Sequence, residues 1–245
     1  MIRIEDLSLA PGGARHPSLV NINLHIERGQ LVWLLGPTGA GKSSLLRLLH
    51  KAERPTSGRL FIAGRDLSTV QRRALPALRR NVALVDSSAR LLPDRTLLGN
   101  VALPLVLAGE DAEIAERKAR AALMDVGLGH KGRAMASEVS QGERLLCALG
   151  RALVAGPSVL LADEPTAGLD PALKADFERL IWQASVRGVT VLWATCEPSL
   201  VHETPHRVVR LERGQIVEDR PAARLAQVGG FGIERAGGVE GAALG

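Results

Sequence analysis

Several residue types are scarce in this chain of 245 residues, and each scarcity excludes a class of protein. Its two cysteines, Cys147 and Cys196, stand far apart and outside any CxxC or Cys/His cluster, which excludes a zinc ribbon and favours a reducing compartment. Tyrosine is absent and aromatic residues make up only 2% of the chain. RNA-binding and single-strand-binding proteins stack bases on aromatic side chains, so we expect no nucleic acid partner.

Long apolar runs are also missing. The longest, 101–108, is interrupted by Pro104 and is too short to cross a bilayer. The first ten residues include Glu5 and Asp6 where a signal peptide has basic residues and then an unbroken apolar stretch, so we expect no secretion signal. The 31 basic and 26 acidic residues give a net charge of +5, which is compatible with anionic ligands or an anionic membrane face.

Short apolar runs alternate with helical patterns along most of the chain. The runs 31–35, 82–85, 159–162 and 189–193 are typical of buried parallel strands. The first thirty residues predict peripheral antiparallel strands instead. Asp170 and Pro171 predict the start of a helix that buries Leu173, Phe177, Leu180 and Ile181.

This order of elements predicts an α/β fold with a mostly parallel sheet, an N-terminal antiparallel β subdomain and an inserted α-helical subdomain at about 87–150. We expect one domain over residues 1–228. The glycine-rich tail 229–245 shows no periodicity, and we expect it to be disordered.

A phosphate-binding pattern, GxxxxGK[ST], lies between the first buried strand and the following helix. Its glycines let backbone N–H groups converge on phosphate oxygens at a helix N-terminus. Lys42 adds a positive charge, and the Ser43 hydroxyl is suited to ligate Mg²⁺. The residues that we assign to this loop are Gly36, Pro37, Thr38, Gly39, Ala40, Gly41, Lys42, Ser43 and Ser44.

Two carboxylates end the strand 159–162. Asp163 is expected at the carboxyl edge of the sheet, beside the phosphate loop, where it can hold Mg²⁺. Its neighbour Glu164 can polarise the attacking water as the catalytic base. Read alone, Asp-Glu-Pro is also an ordinary helix-entry turn, and the upstream phosphate loop favours the functional interpretation.

A third segment, Ser140-Gln141-Gly142-Glu143, has the form of a capping box at the start of a helix. In isolation, a well-capped helix explains it fully. Beside a phosphate loop, it also offers a second helix N-terminus that can receive the γ-phosphate.

Together and in this order, these segments resemble the nucleotide-binding subunits of ATP-binding-cassette (ABC) transporters. In that family the phosphate loop is followed by a signature of LSGGQ type, an hhhhDE strand end and a SALD-like loop, which corresponds here to 167–170 and ends at Asp170. Within the family, the stretches 53–67, 91–105 and 207–219 resemble the cell-division branch. Lipoprotein-release and macrolide-export cassettes are the alternatives.

The resemblance implies an ABC ATPase core of the P-loop NTPase type that binds ATP and Mg²⁺. It implies a homodimer that closes around two ATP molecules, each held by one subunit's phosphate loop and the other's signature segment, 140–143. It further implies an integral membrane partner of the permease type, docked on the helical insertion, and a peripheral location at the cytoplasmic face of the bacterial inner membrane. We expect the docking surface at 91–107.

Four positions depart from the family pattern. Ser87 stands where cassettes carry a glutamine that senses Mg²⁺ and the attacking water, and Cys196 replaces the histidine that contacts the γ-phosphate. Gln141 occupies a glycine position of the signature. The adenine-stacking aromatic expected ahead of Pro11 has no counterpart, and Ala10 stands nearby. Two hypotheses follow: an ATPase that resets a mechanical cycle, or an ATP-gated dimerisation switch with very slow turnover.

Overall fold

The computed structural model describes residues 1–10, 18–202 and 204–222, so the tail 229–245 lies outside the described residues. Ten strands and six α-helices are present within these ranges. The strands are β1 (Ile2–Leu9), β2 (Leu19–Ile26), β3 (Leu31–Leu35), β4 (Ser57–Ile62), β5 (Arg65–Asp66), β6 (Val82–Asp86), β7 (Val159–Asp163), β8 (Thr190–Thr195), β9 (Arg207–Glu212) and β10 (Gln215–Arg220). The helices are α1 (Lys42–Leu49), α2 (Leu75–Asn81), α3 (Leu97–Val106), α4 (Ala112–Asp125), α5 (Gln141–Leu153) and α6 (Pro171–Val186).

The N-terminal strands form a small antiparallel sheet in the order β2-β1-β4-β5. Ile2 pairs with Ile26 on one side and with Ile62 on the other, so apolar side chains from three strands lie together. Alternating burial along β1 and β2 sends one face of this sheet into the core and the other towards solvent. The predicted antiparallel subdomain is confirmed.

The second sheet has the order β10-β9-β3-β8-β7-β6, and its five strands from β9 to β6 run parallel. Strands β3, β7 and β8 are buried along nearly their whole length, as continuous apolar runs of a covered parallel sheet should be. Because parallel strands end at one edge, the last residues of β3, β6, β7 and β8 meet there: Leu35 pairs with Thr195, Asp163 with Ala194 and Asp86 with Asp163. This edge supports the candidate site.

Two apolar cores lie on opposite faces of the parallel sheet. Alternate residues such as Val32 and Leu34 pack with α1 and the antiparallel sheet. On the other face Trp33 and Trp193, from neighbouring strands, lie with ring centroids 4.6 Å apart and pack among helices α3 to α6. Sheet layers covered on both faces make this an α/β fold, as predicted.

Helix α6 begins as the sequence indicated, with the Asp170 side chain accepting hydrogen bonds from the backbone N–H groups of Ala172 and Leu173. Phe177, Leu180 and Ile181 are buried, but Leu173 is only half-buried. Its burial was predicted wrongly because it lies in the first turn of the helix, where it packs against Gly142 at the start of α5. The strand predicted at 189–193 is Thr190–Thr195, which extends closer to Cys196.

The predicted insertion contains α3, α4 and the capped start of α5. Asn100 is fully buried and joins α3 to the preceding loop, since its side chain bonds the N–H and the carbonyl of Leu92 at 2.7 and 3.0 Å. Leu92, Val106 and Leu107 remain exposed on this subdomain. No helix within the described ranges has the length and apolar character needed to cross a bilayer.

Candidate active site

The phosphate loop connects the end of β3 to α1, and backbone packing dictates its glycines. A side chain at Gly36 would place its Cβ 2.2 Å from the carbonyl oxygen of Leu211. Gly41, which precedes α1, has a φ of +105°, and a Cβ there would lie 2.5 Å from the carbonyl oxygen of Ser18. The loop therefore packs tightly against neighbouring backbone. It leads directly into α1, whose first-turn N–H groups have no partner within the helix and are available to phosphate oxygens.

Lys42 is the first residue of α1, and its side chain is 5% exposed. Its Nζ donates to the carbonyl oxygens of Gly36 and Pro37, at 2.7 and 3.2 Å, so the side chain folds back over the loop. Nζ also lies 3.1 Å from Oε1 of Glu164. The positive charge thus stands inside the concave side of the loop, where an anionic phosphate would be held.

Ser43 and Asp163 meet across the sheet edge. The Ser43 hydroxyl donates to Oδ1 of Asp163 at 2.9 Å, and this bond joins α1 to the end of β7. Burial raises the pKa of Asp163, and the Glu164 carboxylate adds to this effect, while the Ser43 bond opposes it. A hydroxyl beside a carboxylate that is short of positive charge fits Mg²⁺, which takes one or two carboxylates and substrate phosphates rather than a full protein cage. Among the described residues, no cluster of three or more His, Cys, Asp or Glu side chains that could hold a metal occurs.

Glu164 has a left-handed backbone, with φ of +47°, directly after β7. Its backbone N–H bonds the carbonyl oxygen of Ala194, and its Oε2 accepts the backbone N–H of Cys196 at 3.0 Å. Because Oε1 pairs with Lys42 of the phosphate loop, both carboxylate oxygens have a partner, and the carboxylate lies beside that loop. A strained backbone that other contacts hold in place is characteristic of functional positions.

Cys196 follows β8 directly and is exposed. Partial loss of water around its sulfur, together with the Glu164 carboxylate, raises the pKa of the thiol, so it stays neutral at neutral pH. The position predicted for the γ-phosphate contact thus lies beside Glu164, but a neutral thiol donates only a weak hydrogen bond there.

Ser87 follows β6 and is exposed, and its carbonyl oxygen accepts a hydrogen bond from the Gln141 side chain at 2.8 Å. Asp86, just before it, pairs in register with Asp163, but its carboxylate is already bonded by the Ser88 N–H and the Arg90 guanidinium. Sequence reasoning missed both features. The similar strand sequences VALVD and VLLAD, which end at Asp86 and Asp163, could have revealed Asp86. The hydrogen bond between Gln141 and Ser87 joins residues 54 positions apart, and no local sequence pattern predicts it.

The segment 140–143 forms the predicted capping box. The Ser140 hydroxyl accepts the N–H of Glu143 at 3.2 Å, and the Glu143 carboxylate accepts the N–H of Ser140 at 2.9 Å. Lys131 and the Ser140 N–H lower the pKa of Glu143. A Cβ at Gly142 would lie 2.4 Å from Cδ1 of Leu173, so the Leu173 side chain would have to shift to admit one. Within the described residues, no hydrogen bond or ion pair joins this segment to the phosphate loop.

The remaining residues singled out in the sequence lie outside the contacts between the phosphate loop, Asp163 and Glu164. Asp170 caps α6 on the surface and bonds only its own helix start. Ala10 hydrogen-bonds Thr56 through its N–H, whereas the adjoining Pro11 turn, at 11–13, lies outside the described residues. Thr38 is exposed on the loop, and Ser44 on α1 accepts a hydrogen bond from Arg47.

These features together define a nucleotide-binding cassette: a glycine-containing phosphate loop, an Asp-Glu pair at the end of a parallel strand, and a capped signature helix in one α/β chain. The family model "ABC transporter" matches residues 19–167, and the chain belongs to that family. Members of this family hydrolyse ATP, which is the activity that the site is built for.

Among curated relatives, the chain is similar to the cell division ATP-binding protein FtsE of Escherichia coli, with 39% identity over 88% of this chain and 97% of the relative. FtsE of Mycobacterium tuberculosis is 36% identical over 96% of this chain and 100% of the relative. Among solved structures, a dimeric bacterial ABC transporter cassette gives a TM-score of 0.83 at 26% identity, covering 91% of this chain and 99% of that one. A post-hydrolysis cassette dimer bound to ADP and Pi gives 0.81 at 25% identity, with the same coverage.

Proposed function

We propose that this chain is the ATP-binding subunit of an FtsEX-like membrane complex that drives or regulates cell division through cell-wall hydrolases. The observation that carries this proposal is the 39% identity to FtsE over 97% of the relative's length, with the phosphate loop, Asp163 and Glu164 all in place. The partner would be an integral membrane subunit of FtsX type. The chain would then lie at the cytoplasmic face of the bacterial inner membrane as a peripheral subunit.

In the proposed reaction, the loop 36–41 and the start of α1 bind the phosphates of ATP through backbone N–H groups, and Lys42 adds its charge. Ser43 and Asp163 would hold Mg²⁺, which when bound neutralises developing charge on the phosphates. Glu164 orients and polarises the attacking water. Its ion pair with Lys42 must loosen as the phosphates take over the lysine charge, and this releases the carboxylate for water.

A homodimer completes the site in this proposal. The signature segment 140–143 does not bond the phosphate loop of its own chain, yet its N–H groups form a helix N-terminus suited to an anion. A second copy placed head-to-tail would supply these groups to the γ-phosphate, and Asp170 would lie at the same interface. The dimeric cassettes among the structural relatives support this arrangement.

We also propose that hydrolysis is slow. Ser87 is too short to contact both the metal and the attacking water from its position after β6, and the neutral Cys196 thiol is a poor substitute for an imidazole donor. Gln141 places a side chain where the family pattern has glycine. These three residues favour a second candidate function, an ATP-gated dimerisation switch in which nucleotide occupancy carries the signal. Another cassette function, such as lipoprotein release or macrolide export, would require a different membrane partner.

The membrane subunit would dock on 91–107. Leu92, Val106 and Leu107 are exposed there by 38%, 51% and 73%, and three exposed large apolar side chains in one short stretch of chain favour an interface. The test is co-purification of tagged chain with an FtsX-type subunit from detergent-solubilised membranes. Val106→Asp with Leu107→Asp should abolish recovery of the subunit.

The matched control is Val186→Asp with Val217→Asp, which also places two charges at exposed apolar residues but lies outside 91–107. Recovery should then match that of the wild type. If both double variants retain the membrane subunit, the docking surface lies outside 91–107. If the wild type retains a lipoprotein-release or export permease instead, the cell-division function is wrong.

A further inference from the structure

The positive charge of the chain is concentrated in one segment, 51–80. This segment contains eight basic and two acidic residues and therefore carries +6, whereas the whole chain of 245 residues carries +5. The remainder of the molecule is thus nearly neutral. No acidic residue occurs between Asp66 and Asp86, and Arg72, Arg73, Arg79 and Arg80 all fall in that interval.

Half of the eight basic residues are exposed and lack partners. Arg54, Arg65, Arg72 and Arg73 are exposed, and among the described residues none of them has an ion pair or a hydrogen-bond acceptor. Arg59 and Arg79 are also exposed but have partners, because Arg59 pairs with Glu5 at 3.0 Å and Arg79 bonds a backbone carbonyl. Four unpaired guanidinium groups in one short stretch of chain leave a positive charge that attracts external anions.

Contacts around Lys51 bring parts of the segment together. Lys51 Nζ bonds the carbonyl oxygen of Leu67, and the Lys51 carbonyl accepts the Arg79 guanidinium at 3.5 Å. Burial, and then the charge of Arg54, lower the pKa of Lys51. Burial and then Arg79 lower the pKa of His50 to about 4. The charges around Lys51 and His50 therefore lie close enough to repel one another, and the Asp66 carboxylate opposes this effect at Lys51 only in part.

We propose that segment 51–80 binds the anionic headgroups of a lipid membrane through Arg72, Arg73 and the neighbouring arginines. Protein interfaces have an apolar centre, but none of the exposed large apolar side chains of the described chain belongs to this segment. Nucleic-acid binders of the single-strand or RNA type use aromatic platforms, and Phe61, half-buried beneath Arg3 and Arg59, is the segment's one aromatic residue. A segment with several exposed arginines and no exposed large apolar side chain matches a layer of lipid phosphates.

This inference rests on the proposed membrane location and adds a direct lipid contact to it. The chain would touch the bilayer itself, independently of its docking surface at 91–107. Each arginine near an anionic membrane surface strengthens binding by about fivefold, and salt screens the attraction. Binding should therefore be reversible, dependent on anionic lipid and lost at high salt.

The test is sedimentation of the full chain with vesicles of phosphatidylcholine alone or with one third phosphatidylglycerol, at low and high salt. The wild type should bind only the vesicles with phosphatidylglycerol, and only at low salt. Arg72→Glu with Arg73→Glu should weaken that binding by at least about tenfold. The control, Arg117→Glu with Arg120→Glu on α4, makes the same change in net charge at two exposed arginines and should bind within about twofold of the wild type.

Several outcomes would overturn the inference. Equal losses in the two double variants would assign binding to net charge rather than to this segment, and absence of wild-type binding would remove it altogether. If double-stranded DNA displaces the vesicles at equal phosphate concentration, the surface is a nucleic-acid site. If the Arg72/Arg73 variant binds vesicles normally but loses the membrane subunit, the surface receives an acidic protein segment.

The vesicle assay contains no membrane subunit and no nucleotide, so its failure would leave the proposed function intact. Conversely, the proposed function fails by loss of co-purification or of ATP binding, neither of which the vesicle assay measures. Far-ultraviolet circular dichroism of each variant confirms the fold. A milder pair, Arg72→Gln with Arg73→Gln, should give an intermediate loss if charge is the cause.

Discussion

Two sets of residues in the candidate site, called its two sides below, follow the family pattern to different extents, although they interleave in space because β8 lies between β3 and β7. On one side, the phosphate loop, Ser43, Asp163 and Glu164 are linked by short contacts between α1 and β7. On the other side, the loops after β6 and β8 carry Ser87 and Cys196, neither of which offers the long, strong donor that the family has there. Nucleotide binding depends mainly on the first side, and the rate of hydrolysis depends on both. Substitutions on the first side should therefore change ATP binding, and substitutions on the second side should change mainly the rate of hydrolysis.

The largest effect should come from Glu164→Gln. Removing a catalytic base that polarises water costs about 10²–10⁴ in rate, while the amide keeps the shape of the side chain. We expect ATP binding to persist and hydrolysis to fall by at least about a hundredfold, measured as single-turnover phosphate release at saturating ATP.

Glu116→Gln on α4 removes the same charge from an exposed position and should leave the rate unchanged. A Glu164→Gln rate within about threefold of the wild type would mean that another group activates the water, since a positioned base accounts for far more.

Lys42→Ala should have the second-largest effect, this time on binding. A hydrogen bond to a charged group contributes about 1.5–3 kcal/mol, which corresponds to a loss of about 10- to 100-fold in ATP affinity. Titration calorimetry with a slowly hydrolysed ATP analogue measures it.

Lys118→Ala on α4 is the control, since its exposed ion pair with Glu110 lies away from the loop. Equal affinities of the wild type and Lys42→Ala would contradict the assignment of Lys42 to the phosphates.

The double change Ser87→Gln with Cys196→His should repair the second side of the site. One aimed donor is commonly worth about 10²–10³ in rate, but both residues act on one transition state, so we expect a partial gain of about tenfold. Single-turnover hydrolysis at saturating ATP compares the wild type, both single variants and the double variant.

A wild-type rate of about 1 s⁻¹ or more, with no gain in the double variant, would show that the present residues suffice. The slow-turnover proposal would then be wrong, and Ser87 and Cys196 would not limit the rate of hydrolysis.

The smallest effect concerns stability at the signature segment. Ser140→Ala removes the side-chain acceptor for the Glu143 N–H and should lower the free energy of unfolding by about 1 kcal/mol, or about 2–4 °C in Tm for a chain of this size. Differential scanning calorimetry without nucleotide measures it. Thr69→Ala, an exposed hydroxyl away from both sides of the site, should change Tm by less.

The Glu143 half of the same box gives a pH dependence with a definite sign. Its pKa is lowered in the folded chain, so its contribution to stability is present above the ordinary glutamate pKa and is lost as the pH falls through the lowered value. The Tm difference between the wild type and Glu143→Gln should therefore shrink on acidification. A difference that stays constant down to the acid-unfolding range would exclude this contribution.

Local patterns predicted the parts of the fold that depend on local chemistry. The phosphate loop, the caps at Ser140 and Asp170, and the strand end at Asp163 each follow from a few adjacent residues, and the structure has them at those positions. The contacts of Lys42 with Glu164 and of Gln141 with Ser87 join distant segments. The parallel order of β7, β8 and β3 brings the first pair together, and the packing of α5 against β6 brings the second pair together. Leu173 was misjudged for the same reason, because its neighbour Gly142 belongs to another helix.

The tilted indole pair of Trp33 and Trp193 gives the molecule a built-in optical probe. Trp33 lies three residues before Gly36, and Trp193 lies three residues before Cys196, so the pair reports on the two neighbouring strands that lead to the phosphate loop and to Cys196. The sequence has no tyrosine, and the one competing tryptophan is Trp182, which is exposed on α6. A change in the geometry of the two rings when ATP binds would therefore be visible in near-ultraviolet circular dichroism and in fluorescence, without any label.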